Sequence, residues 1–98
     1  MTPTLRNYPK PFNAATTIAY SLARESTVSL GLYNAAGQRI RVLVSAARQP
    51  AGEYTAAWGG VDAAERSVGS GIYFYTLQIN KSGQANDFTS TRRMVILK

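Results

Sequence analysis

The chain has 98 residues, 45% of them apolar, and eleven basic against five acidic side chains give it a net charge of +6. That length suits one domain with a modest core and leaves no room for a second domain with a site of its own. Cysteine and histidine are both missing, which excludes disulfides, the commonest general base, and zinc or copper sites of the usual kinds.

Met1-Thr2-Pro3-Thr4 has no charged region followed by an apolar run, so it does not read as a signal peptide; it looks like the cut end of a longer protein. Residues 1–15 read as loop, because Pro3, Pro9 and Pro11 forbid regular helix and push their predecessors to extended conformations. Tyr8 and Phe12 are expected to pin this segment against the rest of the fold. From Thr16 the pattern changes to period two. Ile18, Tyr20 and Leu22 alternate with small or polar residues, and Val28, Leu30 and Leu32 do so again after the polar break Ala23-Arg24-Glu25-Ser26. Asn34-Ala35-Ala36-Gly37 predicts a turn. A strand over 38–45 follows, with Ile40, Val42 and Val44 expected on one face and Arg39 and Arg41 on the other.

Pro50-Ala51-Gly52 predicts the next turn, and Tyr54, Ala56 and Trp58 alternate after it until Gly59-Gly60. Residues 61–70 read as loop. Tyr73, Tyr75, Leu77 and Ile79 then share one face of a strand, with Ile72 and Phe74 opposite as a candidate contact patch. A polar hairpin loop, Lys81 to Asn86, leads to a last strand from about Phe88 to Leu97, whose inner face the apolar run Met94-Val95-Ile96-Leu97 does not reveal. No amphipathic helical pattern and no membrane-length apolar stretch occur. The pattern predicts an all-β fold: an Ig- or fibronectin-III-like antiparallel sandwich of about seven strands over 16–98, preceded by a proline-containing leading segment over 1–15.

Several blocks carry a family resemblance. Asn7-Tyr8-Pro9-Lys10-Pro11-Phe12-Asn13 with Thr16-Thr17-Ile18 resembles the opening N-Y-P-N-P-F-N-P-x-T-x-I of the type IX secretion C-terminal sorting domain, type A, which is related to the Ig-like domain of the flagellar hook-capping protein. Leu32 to Ile40 resembles V-Y-D-x-x-G-R-x-V, and Pro50-Ala51-Gly52-Glu53-Tyr54 resembles x-A-G-x-Y/H. Trp58 stands at the W of W-D-G. Ser70 to Leu77 is similar to S-G-I-Y-F-Y-R-L, and Arg92 to Lys98 to the closing K/R-K-M-V-L-L-K. The family-motif residues are thus Asn7, Tyr8, Pro9, Pro11, Phe12, Asn13, Gly37, Gly52, Trp58, Gly71, Tyr73, Tyr75 and Leu77. Lys10, Ala14 and Gly59 depart from the pattern, and Val61-Asp62-Ala63-Ala64-Glu65-Arg66 lacks the usual D-x-x-G turn.

The resemblance implies a non-catalytic sorting and anchoring domain. It would carry a cargo domain on its N-terminal side through the periplasm and outer membrane, to the cell surface or the medium. Its implied partners are the type IX translocon and shuttle proteins, and a sortase-like protease. Arg92, Arg93, Met94, Val95, Ile96, Leu97 and Lys98 would be the stretch that this machinery reads. The residues alone favour a solvated, charge-protected edge there instead. No catalytic constellation, cofactor or metal ligand set is expected, since no histidine is available to activate a serine or threonine. The positive charge is spread along the chain and does not predict nucleic-acid binding. The alternative is a carbohydrate-binding module, with Tyr54, Trp58, Tyr73 and Tyr75 as stacking rings, or a structural spacer. Core packing is the plainer use of those four rings.

Overall fold

Alternation of apolar and polar residues makes a strand with one face to bury, and a layered fold results when two such faces meet. The computed structural model describes residues 4–8, 15–80 and 88–97. Seven strands occur among them: β1 (Leu5–Tyr8), β2 (Thr16–Leu22), β3 (Ser26–Asn34), β4 (Arg39–Gln49), β5 (Gly52–Trp58), β6 (Gly71–Asn80) and β7 (Phe88–Ile96). They form two antiparallel sheets, one of three strands in the order β1-β2-β5 and one of four in the order β4-β3-β6-β7. Among the described residues no helix is long and apolar enough to cross a membrane.

The core lies between the sheets. Ile18, Tyr20 and Leu22 of β2 face Val28, Leu30 and Leu32 of β3 and Tyr75, Leu77 and Ile79 of β6, all buried. Complete burial of one such aliphatic side chain contributes about 1.5–3 kcal/mol. Leu5, Trp58, Met94 and Ile96 close the layer from the flanking strands. The last strand's inner face is therefore the one carrying Met94 and Ile96.

Leu5–Tyr8, read in the sequence as loop, is a strand. It pairs with β2 from Leu5 opposite Tyr20 to Tyr8 opposite Thr17. Four residues are too few for periodicity to register, but Leu5 and Asn7 point inward and Arg6 and Tyr8 outward. Tyr8, expected to pin the segment, is 41% exposed. Its ring carries the Arg6 guanidinium 4.9 Å from its centroid, and Leu5 and Asn7 do the anchoring. Phe12 lies outside the described residues.

β4 departs from its expected facing. Its register against β3 steps between Val28 and Leu30, between Leu30 and Gly31, and between Leu32 and Tyr33. Each step is a bulge that inserts one residue on the β4 side and resets which way the following side chains point. Ile40, Leu43 and Val44 consequently pack on the core, while Val42, expected inside, is 41% exposed. Arg41, expected outside, lies opposite the inward-facing Leu32. At the first bulge Ala46 has φ of 47°, a left-handed conformation that costs a non-glycine residue about 1–2 kcal/mol. The Ser29 hydroxyl accepts a hydrogen bond from the Ala46 amide at 3.1 Å, which satisfies a donor the ladder leaves out.

Candidate recognition edge and outer sheet face

Strand order decides which backbone is available to a partner. β7 pairs with β6 from Phe88 opposite Ile79 to Ile96 opposite Gly71 and, among the described residues, pairs with no strand on its other side. An edge strand leaves every second residue's N–H and C=O unpaired by its own sheet, a template for strand addition. The opposite edge, β4, is partly covered. The Ala63 amide donates to the Ile40 carbonyl at 2.8 Å, and Arg41 donates to the Asp62 carbonyl at 2.7 Å and to the Glu65 carboxylate at 3.1 Å.

Alternation along β7 separates the residues of the expected recognition stretch. Met94 and Ile96 are core, and Val95 faces out and is half-buried. Arg93 faces out and is exposed, whereas Arg92 shares the inner side with Met94 yet remains exposed at the rim. Leu97, just beyond the strand, is 54% exposed, and Lys98 lies outside the described residues. Arg92 is opposite Tyr75. Burial raises the Tyr75 phenol above its ordinary 10.0, while the Arg92 charge pulls the other way.

A buried polar group ties the N-terminal strand to β6. Tyr75 Oη donates to Asn7 Oδ1 at 3.1 Å, Asn7 Nδ2 donates to Thr16 Oγ1 at 3.1 Å, and the Thr16 hydroxyl donates to the Tyr8 carbonyl at 3.1 Å. Each member is satisfied, as buried polar groups must be. The first residue of the Asn7-Tyr8-Pro9 block thus has a defined role: it fixes where the chain enters the sandwich. Sequence reading missed this network, because Asn7 and Tyr75 are 68 residues apart. Pro9, Pro11, Phe12 and Asn13 lie outside the described residues.

The remaining motif residues are structural. Gly37, Gly52 and Gly71 have φ of 84°, 148° and 151°, a region side chains avoid. At the first, the Asn34 side-chain oxygen accepts from the amides of Ala36 and Gln38 and closes the turn. Trp58 is 1% exposed. Its indole N–H donates to the Val61 carbonyl at 2.7 Å, and the ring meets Tyr73 edge-on with centroids 6.0 Å apart. Tyr73 and Tyr54 are half-buried and donate their hydroxyls to the Gly69 and Pro50 carbonyls. With Trp58, Tyr75 and Leu77 enclosed, no stacking platform of the four named rings exists.

The 61–66 segment, which lacks the D-x-x-G pattern, nevertheless makes the turn. Asp62 Oδ1 accepts from the amides of Ala64 and Arg66, and Glu65 takes φ of 65° where glycine would be easier. The Arg66 backbone amide, more than the other groups, holds the Asp62 carboxyl below its usual range.

The outer face of the four-stranded sheet carries a row that sequence reading only half identified. Tyr33 is opposite Arg39 on β4 and Phe74 on β6, and Phe74 is opposite Arg93 on β7. Arg39, Tyr33, Phe74 and Arg93 therefore form one cross-strand line over all four strands. Ile72, 44% exposed, lies beside it opposite Val95. The sequence signal was present in period two, one residue out of step with the core, but the neighbouring strand that completes the row is set by pairing.

This geometry has known counterparts. No curated protein matches the sequence. Latent PorU from Porphyromonas gingivalis, in a crystal structure of its dimer, is similar in fold: the TM-score is 0.75 at 14% identity, over 98% of this chain and 9% of that one. The likeness is thus to a small portion of a much longer chain. The sequence pattern of the FlgD Ig-like domain matches residues 10–84. That span is well over half of the sequence, and the two-sheet, seven-strand sandwich agrees with it; the chain belongs to the FlgD Ig-like domain family.

Proposed function

We propose that the chain is a non-catalytic sorting and anchoring domain. It directs an attached cargo domain across the outer membrane by type IX secretion, to the cell surface or the medium. The observation that carries this reading is the position of β7: among the described residues, the strand holding Arg92 and Arg93 is an edge of the larger sheet. The sequence blocks that resemble the type A sorting domain support it, and so does the match to an Ig-like family. The translocon and shuttle proteins are its partners under this reading. They would add a strand along β7, with the two guanidinium groups selecting the register.

Residues 1–98 fused behind a Sec signal and a fluorescent reporter test it in a host with a type IX apparatus. The reporter reaches the surface or medium if the reading holds, and periplasmic retention counts against it. Deleting 93–98 would remove Met94 and Ile96 from the core, so the discriminating variant is Arg92→Glu with Arg93→Glu. Both side chains are exposed, the fold survives, and export falls.

A second reading rests on the family match alone: an Ig-like domain that serves as a spacer or assembly unit. It gives periplasmic retention of the reporter with the parent and the charge-reversed variant alike, and self-association in sedimentation.

A further inference from the structure

We propose that the outer face of the four-stranded sheet is a second recognition surface, for an extended acidic peptide segment of a partner protein. Its pattern is acid–x–apolar–x–acid. The surface shares Arg93 with β7 but not that strand's backbone edge, and it does not rest on the export route.

The row Arg39–Tyr33–Phe74–Arg93 spans four strands, each opposite the next in register. Three inter-strand gaps of about 4.8 Å put the two arginine Cα atoms about 14 Å apart. In an extended peptide, residues i and i+4 lie on one face and are separated by about 13–14 Å. A segment lying across the strands can therefore place one carboxylate at each guanidinium, with the side chain at i+2 over the two central rings. Among the described residues neither Arg39 nor Arg93 has an ion pair. Both are exposed and free to take a carboxylate in the bidentate geometry that guanidinium favours.

The centre of the row is prepared for an apolar group. Tyr33 lies over Gly31: a Cβ at that glycine would come 3.2 Å from Tyr33 Oη and 3.3 Å from its Cε1. The missing side chain lets the ring lie down on the sheet, as aromatic residues do over strand glycines. Phe74 is half-buried beside it, with Ile72 and Val95 in the adjacent cross-strand pair. Exposed Ile72 with half-buried Tyr33, Phe74 and Val95 makes a contiguous apolar patch on the sheet face, the kind of feature that marks an interaction site.

The chemistry favours peptide over glycan. A sugar ring on an aromatic face still needs polar partners for its hydroxyls. Thr76 and Thr91, the polar pair next to the rings, already hydrogen-bond each other at 2.9 Å, and aliphatic Ile72 and Val95 flank the other side.

The experiment is fluorescence anisotropy with the whole chain and a labelled peptide Ser-Glu-Thr-Leu-Thr-Glu-Ser. Saturable binding is expected, weakened at least about tenfold in Arg39→Gln with Arg93→Gln. Moving the acids to i and i+2 should weaken it similarly. Thermal unfolding of the double variant should match the parent, because both side chains are exposed. A Gly31→Ala variant, which lifts the Tyr33 ring, provides a second handle: it should weaken the peptide without touching either charge. No binding at millimolar peptide, equal binding of the respaced peptide, or equal binding by the glutamine double variant would overturn the proposal. So would binding of polygalacturonate or of anionic phosphatidylglycerol vesicles in the peptide's place.

Discussion

On β3, β6 and β7 the two faces of the four-stranded sheet differ by one residue. Leu32, Tyr75 and Met94 point inward and are at most 2% exposed. Tyr33, Phe74 and Arg93, the next residue of β3 and the preceding residues of β6 and β7, point outward and remain reachable. The pleat separates residues that keep the fold from residues that can meet a partner. Substitutions on the inner face should therefore change stability, and those on the outer face should change binding and leave stability alone.

The largest effect expected from this contrast is at the centre of the inner face. Leu77→Ala removes a fully buried side chain and should cost about 2–5 kcal/mol in urea unfolding, a large part of a small domain's stability. A cost under about 1 kcal/mol would mean the inner layer is not close-packed.

Next comes the buried polar link. Asn7→Ala leaves the Tyr75 hydroxyl and the Thr16 hydroxyl short of a partner and should cost about 1–3 kcal/mol. A double-mutant cycle with Tyr75→Phe should show coupling of at least about 0.5 kcal/mol. The same network has a pH signature. Burial raises the pKa of Tyr75, and of Tyr20, above 10.0, so folding favours the neutral phenols. Their contribution is complete below pH 10 and is lost as pH rises through the folded-state values. Alkaline unfolding of Tyr75→Phe should accordingly show a shallower loss with pH than the parent.

A smaller gain is expected where β4 is strained. Ala46→Gly at φ of 47° should stabilise by a few tenths to about 1 kcal/mol, read as a shift of the urea midpoint at constant slope. Glu65→Gly relieves the same kind of strain at φ of 65° but gives up the exposed ion pair with Arg41, so its net change should be near zero. The smallest effect belongs to the outer face. Arg93→Gln should move stability by no more than about 0.5 kcal/mol, and a larger loss would place Arg93 in the structural half of the molecule.

Period-two patterning alone predicted β2, β3, β5 and β6 and their inward residues. Their apolar side chains alternate for three or four steps, and each pairs with a neighbour that keeps register. The Gly37 turn was equally legible, because Asn34 and a glycine at that spacing carry the chemistry of the turn with them. β1 was not legible: one leucine and one asparagine do not make a period, and only pairing with β2 and the bond to Tyr75 make Leu5–Tyr8 a strand.

The chain itself determined that it would form a β-sandwich, since alternating side chains can be hidden only between two sheets. Tertiary structure decided which side chains β4 hides, because its three bulges arise from pairing with β3 and reverse the expected facing of Val42 and Arg41. It also decided which strand lies at the edge and which residues line up across strands. Strand order and register join residues far apart in sequence, and local preferences do not carry that information.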